Sequence, residues 1–165
     1  MFVSQNANAP AGSVVFHRID TTSSAAPNRF VSGIVVDPNN ANRAWITYTG
    51  YNANTPTTPG HVFQVDYNPT TNTATWTDID NGTGPLGDLP VTSIARDNQT
   101  GTLYVGTDFT VLADSPGRNG TFDGNWRPVA DGLPEVEIAD LTIDQPTRTL
   151  YAGTHGRAIW TLSLR

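Results

Sequence analysis

The 165-residue sequence contains no cysteine and no lysine, and each absence excludes a class of function. Without cysteine, disulfides, thiolate catalysis and cysteine-ligated metal sites are excluded. The nine basic residues are all arginine, and fifteen acidic residues bring the formal net charge to -6 at pH 7. Because such a chain lacks the clustered cations that bind phosphate backbones or anionic membranes, we expect neither nucleic acid nor a membrane as partner.

Long hydrophobic runs and helical periodicity are also missing. No apolar run reaches membrane-spanning length, so membrane insertion is not expected. The first residues, "MFVSQNANAPAGS", have no basic region followed by an apolar stretch, so no signal peptide is predicted in this chain. Thr, Asn, Gly and Pro are abundant while Lys and Glu are scarce, which favours an extracellular or periplasmic β-protein.

What the sequence does contain is an internal repeat. "VTSIARDNQTGTLYVGTDF" begins at Val91, and "IADLTIDQPTRTLYAGTHG" begins at Ile138. Tyr104 and Tyr151 occupy matching places, 47 residues apart (151 − 104). A looser copy, "VSGIVVDPNNANRAWITYTG", begins at Val31. A repeat of this length indicates stacked supersecondary units rather than one irregular domain.

Each copy predicts a β-hairpin followed by further strands. An apolar run leads to an Asp, a turn rich in Asn, Pro, Gly or Gln, and a second run with aromatic and β-branched residues. Each of the first two copies is followed by two more strands, and the third copy is followed by one. A four-stranded unit recurring every roughly 40 to 60 residues is typical of a β-propeller blade. We predict an all-β propeller segment with about three blades, at residues 28–80, 89–131 and 136–165.

The third copy lacks a fourth strand, and the N-terminal region offers one. Residues 1–12 are predicted as an N-terminal arm, and "SVVFHRID" (Ser13–Asp20) resembles the outer strands "ATWTDID" and "NWRPVAD". We expect this strand to complete the last blade, of the same chain or of a neighbour. Because propeller rings have about four to eight blades, we expect either the remainder of a longer propeller or a homo-oligomer, in particular a dimer with six blades.

Three segments carry a resemblance to a known family: "LPVTSIARD" to "TLYVGTDF" (89–109), "GNWRPVADGLPEVEIADLTID" (124–144) and "TLYAGTHGRAIWTL" (149–162). They resemble the C-terminal blades of the BNR/Asp-box β-propellers, which include sialidase-like, sortilin-like and xyloglucanase-like proteins. In the last segment Ala158 stands where the family phrase often has a second glycine. The resemblance implies a propeller fold over most of the chain and leaves the function open between glycan hydrolysis and protein or glycan binding.

Residues that recur at the same place in every copy are predicted to serve the blade itself. Asp37, Asp97 and Asp144 each follow a strand and begin a turn, where a carboxylate accepts backbone N–H groups. Asp123 belongs to "TFDGNW", a shortened form of the family's Asp box, which the resemblance identifies as a folding device. We therefore interpret these four aspartates as structural turn residues.

Residues that break the repeat are better candidates for a site. His155 and Arg157 stand in the third copy near the place that Asp108 takes in the second. An imidazole there could bind a ligand or act as a base. The alternative is a structural turn in which His155 bonds backbone and Arg157 pairs with a carboxylate. We take Asp108, His155 and Arg157 as candidate ligand-binding residues and predict no catalytic residue.

No metal or cofactor is expected. His17, His61 and His155 are far apart in sequence, without the spacing of a metal-ligand pair. The loop "DIDNGTG" (78–84) lacks the twelfth-position Glu of a calcium loop, so it is interpreted as an ordinary turn.

The sequence favours a non-catalytic propeller module that binds a protein or glycan and completes a ring by oligomerisation. No pair of carboxylates stands out at glycosidase spacing, and the Arg-Ile-Pro motif of sialidases is absent. Two alternatives stay open: a fragment of a secreted BNR-type glycoside hydrolase, and a structural subunit of an extracellular assembly joined by strand exchange.

Overall fold

The computed structural model describes residues 1–20, 25–129 and 132–164. The helical segments in this part of the chain are the short 3-10 turns Ala11–Ser13 and Asn52–Asn54. The strands are β1 (Phe2–Val3), β2 (His17–Arg18), β3 (Val31–Asp37), β4 (Asn40–Tyr48), β5 (Val62–Asn68), β6 (Thr73–Asp78), β7 (Val91–Arg96), β8 (Leu103–Thr107), β9 (Val111–Asp114), β10 (Arg127–Pro128), β11 (Ile138–Asp144), β12 (Thr149–Thr154) and β13 (Ile159–Ser163).

The described residues contain no helix that is both long and apolar enough to cross a membrane.

Three antiparallel sheets follow the three copies of the repeat. The first blade has the order β3-β4-β5-β6, the second blade β7-β8-β9-β10, and the third blade β11-β12-β13. The predicted all-β fold with four-stranded antiparallel sheets is therefore confirmed. The strand predicted within "NWRPVAD" reduces to Arg127–Pro128, and residues 130 and 131 of that segment lie outside the described part of the chain.

The inner strands of the three blades lie side by side, since β7 contacts both β3 and β11. Each inner strand has a register shift near its start, at Val31/Gly33, Val91/Ser93 and Ile138/Asp140. Such a bulge bends a strand and increases its twist. The bulge occurs at the same position in all three inner strands, so the copies of the repeat share this backbone distortion as well as their strands.

The N-terminal region forms a small sheet of its own. β1 pairs with β2 in the register Phe2↔Arg18 and Val3↔His17. The predicted lone strand Ser13–Asp20 is thus a strand only at His17–Arg18, and the predicted arm at residues 1–12 supplies its partner. In this chain the small sheet packs against the first blade, and the third blade keeps three strands among the described residues.

The β1–β2 sheet matches the outer two strands of a blade. Its pairing repeats that of the third and fourth strands of the two complete blades, and each fourth strand is followed by an apolar residue whose N–H donates to the start of the third strand. These bonds are Ile19 N to Met1 O (3.1 Å), Ile79 N to Val62 O (3.0 Å) and Val129 N to Val111 O (3.3 Å). We term this β1–β2 sheet the N-terminal half-blade.

Three apolar clusters fill the gaps between neighbouring units, one for each gap. Two tryptophans form hydrogen bonds across two of these gaps. The indole N–H of Trp76 donates to Ile19 O at 3.2 Å, and that of Trp126 donates to Ile79 O at 3.0 Å. Each tryptophan lies in the fourth strand, or directly before it, and bonds to the fourth strand of the preceding unit. Burial of these rings supplies much of the inter-blade packing.

Candidate functional site

The strand directions divide the predicted site residues between two faces. Turns between first and second strands carry Asp37, Asp97 and Asp144, and define what we term the turn face. Loops between second and third strands carry Asp108, His155 and Arg157, and define the loop face. The two sets are thus at opposite ends of the blades, because antiparallel strands place successive connections at alternate ends.

On the turn face the recurring aspartates bond within their turns and between blades. Asp37 accepts Asn39 N, and Asp97 accepts Gln99 N, both at 3.0 Å. Asp97 also pairs with Arg148 of the third blade at 2.5 Å. Burial acts to raise the pKa of the Asp97 carboxyl, but these hydrogen bonds and the guanidinium outweigh it and hold the pKa below its ordinary value.

The other two predicted turn residues bond only within their own turns. Asp123 accepts Asn125 N at 3.1 Å, and Asp144 accepts the Thr147 hydroxyl at 2.5 Å. Both serve the local turn, and neither approaches the loop face.

On the loop face two of the three candidates come together around a residue that the sequence did not single out. His155 Nδ1 lies 3.2 Å from the Glu137 carboxylate, and His155 N donates to Glu137 O at 2.9 Å. Burial and the charge of Glu137 together raise the pKa of Asp108. Glu137 and His155 therefore form one open cluster, with the His155 ring largely exposed, and Asp108 lies within reach of the Glu137 charge.

Arg157 does not join this cluster through an ion pair among the described residues. Its carbonyl accepts the Trp160 indole N–H at 2.9 Å. The surrounding loop is held by Thr154, whose N–H and hydroxyl both donate to Ala158 O. Gly156 and Ala158 have φ of 77° and 67°. Positive φ is a conformation that glycine adopts at little cost. This explains why the family phrase often has a glycine at the position of Ala158.

A second cluster, buried in the first blade, was missed. His61 and Asp80 are fully buried. Asp80 Oδ2 accepts His61 N at 2.5 Å and lies 3.2 Å from His61 Nδ1, while Gly50 O lies 3.0 Å from Nε2. Burial acts to raise the pKa of Asp80, but the bonds from His61 and Gly82 outweigh it and lower that pKa. With both ring nitrogens engaged, His61 is a structural residue.

Further polar residues around His61 hold the loop at residues 49–60 in place. Arg29 donates to Gly50 O at 3.0 Å and also to Gly60 O. Asp88 accepts Asn52 N at 2.7 Å. Loss of surrounding water and the nearby Asp80 charge raise the pKa of Asp78 to about 6. The sequence signal was the Asp-x-Asp at 78–80 beside a strand end, which the sequence alone led us to interpret as an ordinary turn.

A cavity of about 330 Å³ opens between the second and third blades; we term it the third-blade cavity. Its lining is mainly apolar and comes from both blades: Val111, Val129, Gly132, Leu133, Leu150, Ala152, Trp160, Thr161 and Leu162. Roughly 150 Å³ suffices to hold benzene in an apolar protein cavity. This cavity can therefore take an aromatic side chain.

Within the described ranges, no group of three or more His, Asp and Glu side chains is arranged to hold a metal ion.

No family model and no curated protein matches this sequence. Solved structures do. A gluconolactonase of Xanthomonas campestris aligns with a TM-score of 0.61 and 16% identity, over 94% of this chain and 43% of that one. A Bacteroides uniformis protein assigned as a 6-phosphogluconolactonase aligns with a TM-score of 0.60 and 15% identity, over 99% and 46%. An extracellular domain from B. thetaiotaomicron, assigned to a hybrid two-component system, aligns at 0.53 and 21%, over 92% and 17%.

This chain spans less than half the length of these solved structures. They are not specific for the BNR/Asp-box family, so that resemblance stays a prediction. At identities this low the similarity carries the fold and not the activity. The chain has a propeller-type fold.

Proposed function

We propose that this chain is a non-catalytic propeller segment that assembles with a second copy into a six-bladed ring, whose loop face binds a protein or glycan ligand. The observation that supports assembly is the pair of unequal ends: half a blade at one end and a three-stranded blade at the other. Each end exposes apolar side chains, and the exposed surface of one end could pack against that of the other end in a second copy.

At the first end, apolar side chains of the inner strand lie uncovered. Ile34 and Val36 are both more than half exposed. Ile34 pairs with Ile46, and Ile46 belongs to the cluster that includes Ile19 of the N-terminal half-blade, so these side chains share one side of the sheet. The half-blade covers the outer part of that side and leaves the inner part to solvent.

At the other end, the third blade exposes the side that faces away from the second blade. Tyr151 and Ile159 alternate with Ala152 and Trp160, so they lie on the opposite side of the sheet from Ala152, which packs toward the second blade. Ile159 is 70% exposed. Exposed apolar surface at both ends is typical of an interaction site.

Two copies related by a two-fold axis would bury the exposed apolar surfaces of both ends at the same time. The third blade of each copy would pack on the first blade of the other, which closes the assembly and limits it to two chains. Three blades from each copy would give a ring of six, within the size range of propellers.

The loop face supports the ligand-binding part of the proposal. Asp108, Glu137 and His155 combine two carboxylates with an exposed imidazole, a set that can accept hydrogen bonds from sugar hydroxyls or from peptide N–H and cationic groups. The His155 ring lies against the Glu137 carboxylate and is largely exposed, so it can meet a ligand at the surface.

The assembly is tested by the molar mass in solution, measured by light scattering during size exclusion. We expect two chains of 17.7 kDa each. The double variant Val36→Asp and Ile159→Asp should be monomeric, because it places charges on both uncovered surfaces. Phe109→Ser, an exposed aromatic in the middle of the chain, is the matched control and should leave the mass unchanged. A 17.7 kDa species at all concentrations would overturn the ring.

Ligand binding is tested separately on glycan and peptide arrays. Any ligand found should lose affinity in His155→Ala and in Asp108→Asn, while Asp144→Asn on the turn face serves as control. Hydrolysis of a glycan that either loop-face substitution abolishes would contradict the non-catalytic function.

A further inference from the structure

We propose that the third-blade cavity is the receptor site for the Val14–Asp20 strand of a second copy, with Phe16 filling it as Trp126 fills the matching place in the second blade. This inference rests on the proposed assembly and identifies the contact that closes it. Phe16 is 63% exposed within its own chain.

Six residues that line the cavity correspond in the repeat to members of the apolar cluster that contains Trp126. Trp126 is 1% exposed and packs in the cluster between the first and second blades. That cluster contains Val62, Ile79, Leu86, Leu103, Val105 and Leu112. The repeat places Val111, Val129, Leu133, Leu150, Ala152 and Trp160 at the corresponding positions, and all six line the cavity. The cavity therefore corresponds to the pocket that Trp126 fills in the second blade, and among the described residues no counterpart of Trp126 fills it.

A hydrogen-bond acceptor is also in place. Trp76 and Trp126 donate to Ile19 O and Ile79 O respectively. The residue at that position in the second blade is Val129, which repeats the N–H bond of Ile79 to the start of the third strand. Among the described residues no donor reaches Val129 O. The pocket thus offers apolar walls and one unused carbonyl.

The repeat also indicates which strand fits. An aromatic residue stands three positions before the apolar residue that follows each fourth strand: Trp76 before Ile79, and Trp126 before Val129. Phe16 stands three positions before Ile19, which already accepts Trp76. Of these three aromatic residues, the two tryptophans are buried and Phe16 alone is exposed.

Transferring the register of the complete blades onto the third blade predicts the pairing. Leu112↔Pro128 corresponds to Trp160 opposite Arg18 of the second copy, which brings Phe16 opposite Leu162. Leu162 lines the cavity. Within its own chain the same register brings Phe16 beside Ser4, which offers a ring no apolar partner. In the exchanged arrangement β13 of one copy takes the place of β1 of the other.

The exchange gives up the short β1–β2 pairing, the ion pair between the Met1 amino group and Asp20, and the bonds from the Asn6 side chain to residues 13 and 15. β1 and β2 pair at only two positions, whereas β13 offers a five-residue edge with no neighbour beyond β12 among the described residues. Ile19 can keep its bond to Trp76 throughout, so the strand stays fixed to its own first blade while β13 of the second copy replaces β1 at the paired edge.

Phenylalanine fills the pocket but has no N–H for Val129 O. Phe16→Trp should therefore tighten the dimer roughly three- to tenfold, the effect of one hydrogen bond, and its emission should become blue-shifted and protected from quencher on association. Phe16→Ser should weaken the dimer at least tenfold. Phe109→Ser is again the control. A Phe16→Ser variant that dimerises like the parent would overturn the strand site while the ring proposal stands.

A labelled peptide, SVVFHRID, tests the cavity apart from dimerisation. We expect it to bind the full chain, with the Trp version tighter and the Ser version weaker, and Ala152→Phe, which fills the cavity, should abolish binding. Leu162→Ala offers a second, milder change at the same site, and a urea titration of each variant checks folding. Failure of all three peptides to bind a monomeric full chain would overturn this inference together with the ring; ordered binding to a monomer would support the site and overturn the ring alone.

Discussion

The second and third blades have similar sequences in their first two strands, but their tryptophan side chains differ in how far they are buried. In the second blade Trp126 is 1% exposed, while in the third blade Trp160 is 42% exposed beside an open cavity. Leu103 and Leu150, at matching places, are both buried. The repeat therefore determines the strands and the pocket walls, and the presence of a fourth strand determines whether a pocket is filled.

The largest expected difference between the blades concerns their tryptophans. Trp126→Ala should lower the free energy of unfolding by about 3–5 kcal/mol, because it removes a fully buried ring and leaves a cavity. Trp160→Ala should cost under about 1.5 kcal/mol, since much of that ring already meets solvent. Urea unfolding measures both.

An intermediate substitution separates the ring of Trp126 from its hydrogen bond. Trp126→Phe keeps most of the packing and loses the bond to Ile79 O, so it should cost less than Trp126→Ala. Equal losses for Trp126→Ala and Trp160→Ala would contradict the comparison of a filled and an open pocket.

Two glycines at matching places give the next largest contrast. A Cβ on Gly106 would lie 2.8 Å from Ile138 Cγ2, whereas a Cβ on Gly153 meets nothing closer than 3.7 Å. Gly106→Ala should therefore cost about 1–3 kcal/mol through overpacking. Gly153→Ala should be neutral or stabilise by up to about 1 kcal/mol, since glycine weakens a strand.

The glycine pair also reports on assembly. Stability of the two variants is read from thermal or urea unfolding at a concentration where the chain is monomeric. If Gly153→Ala is as harmful as Gly106→Ala under those conditions, then the outer side of the third blade is covered in the monomer, contrary to the structure.

A smaller effect is expected at the loop where the blades diverge. Ala158 has φ of 67° in the third blade, a conformation that costs a non-glycine residue roughly 1 kcal/mol. Ala158→Gly should relieve this strain and raise the free energy of unfolding by under about 1 kcal/mol, offset in part by unfolded-state entropy. Asn72→Gly, at φ of 55° in a first-blade turn, is the comparison. Destabilisation by Ala158→Gly would argue against strain at this position.

The fold was predictable where the repeat is explicit. Alternation and turn residues located the strands of all three blades, because those signals are local. The β1 strand was not predictable, since Phe2–Val3 is too short for any pattern. Its role became visible only when the bond from Ile19 N to Met1 O matched those of Ile79 and Val129.

The site was less predictable because its contacts cross between loops. Asp108 and His155 were identified as breaks in the repeat, but Glu137, which joins them, lies just before an inner strand and breaks no pattern. His61 and Asp80 meet across 19 residues of sequence, and nothing local marks the pair.

The smallest expected effect concerns Asp108, the second-blade counterpart of the His155 loop. Burial and the charge of Glu137 raise its pKa above the ordinary value of 3.8. The folded state therefore holds this proton more tightly than the unfolded state, and stability falls as pH rises from below 3.8 through the raised pKa. Asp108→Asn never ionises, so it should gain a few tenths of a kcal/mol at pH 7 and nothing at pH 3. Glu137→Gln should gain less, because it also weakens the contact with His155 Nδ1. Urea midpoints between pH 3 and 8 measure the difference, and a gain that does not change with pH would show that the second-blade loop carries no such repulsion from the third blade.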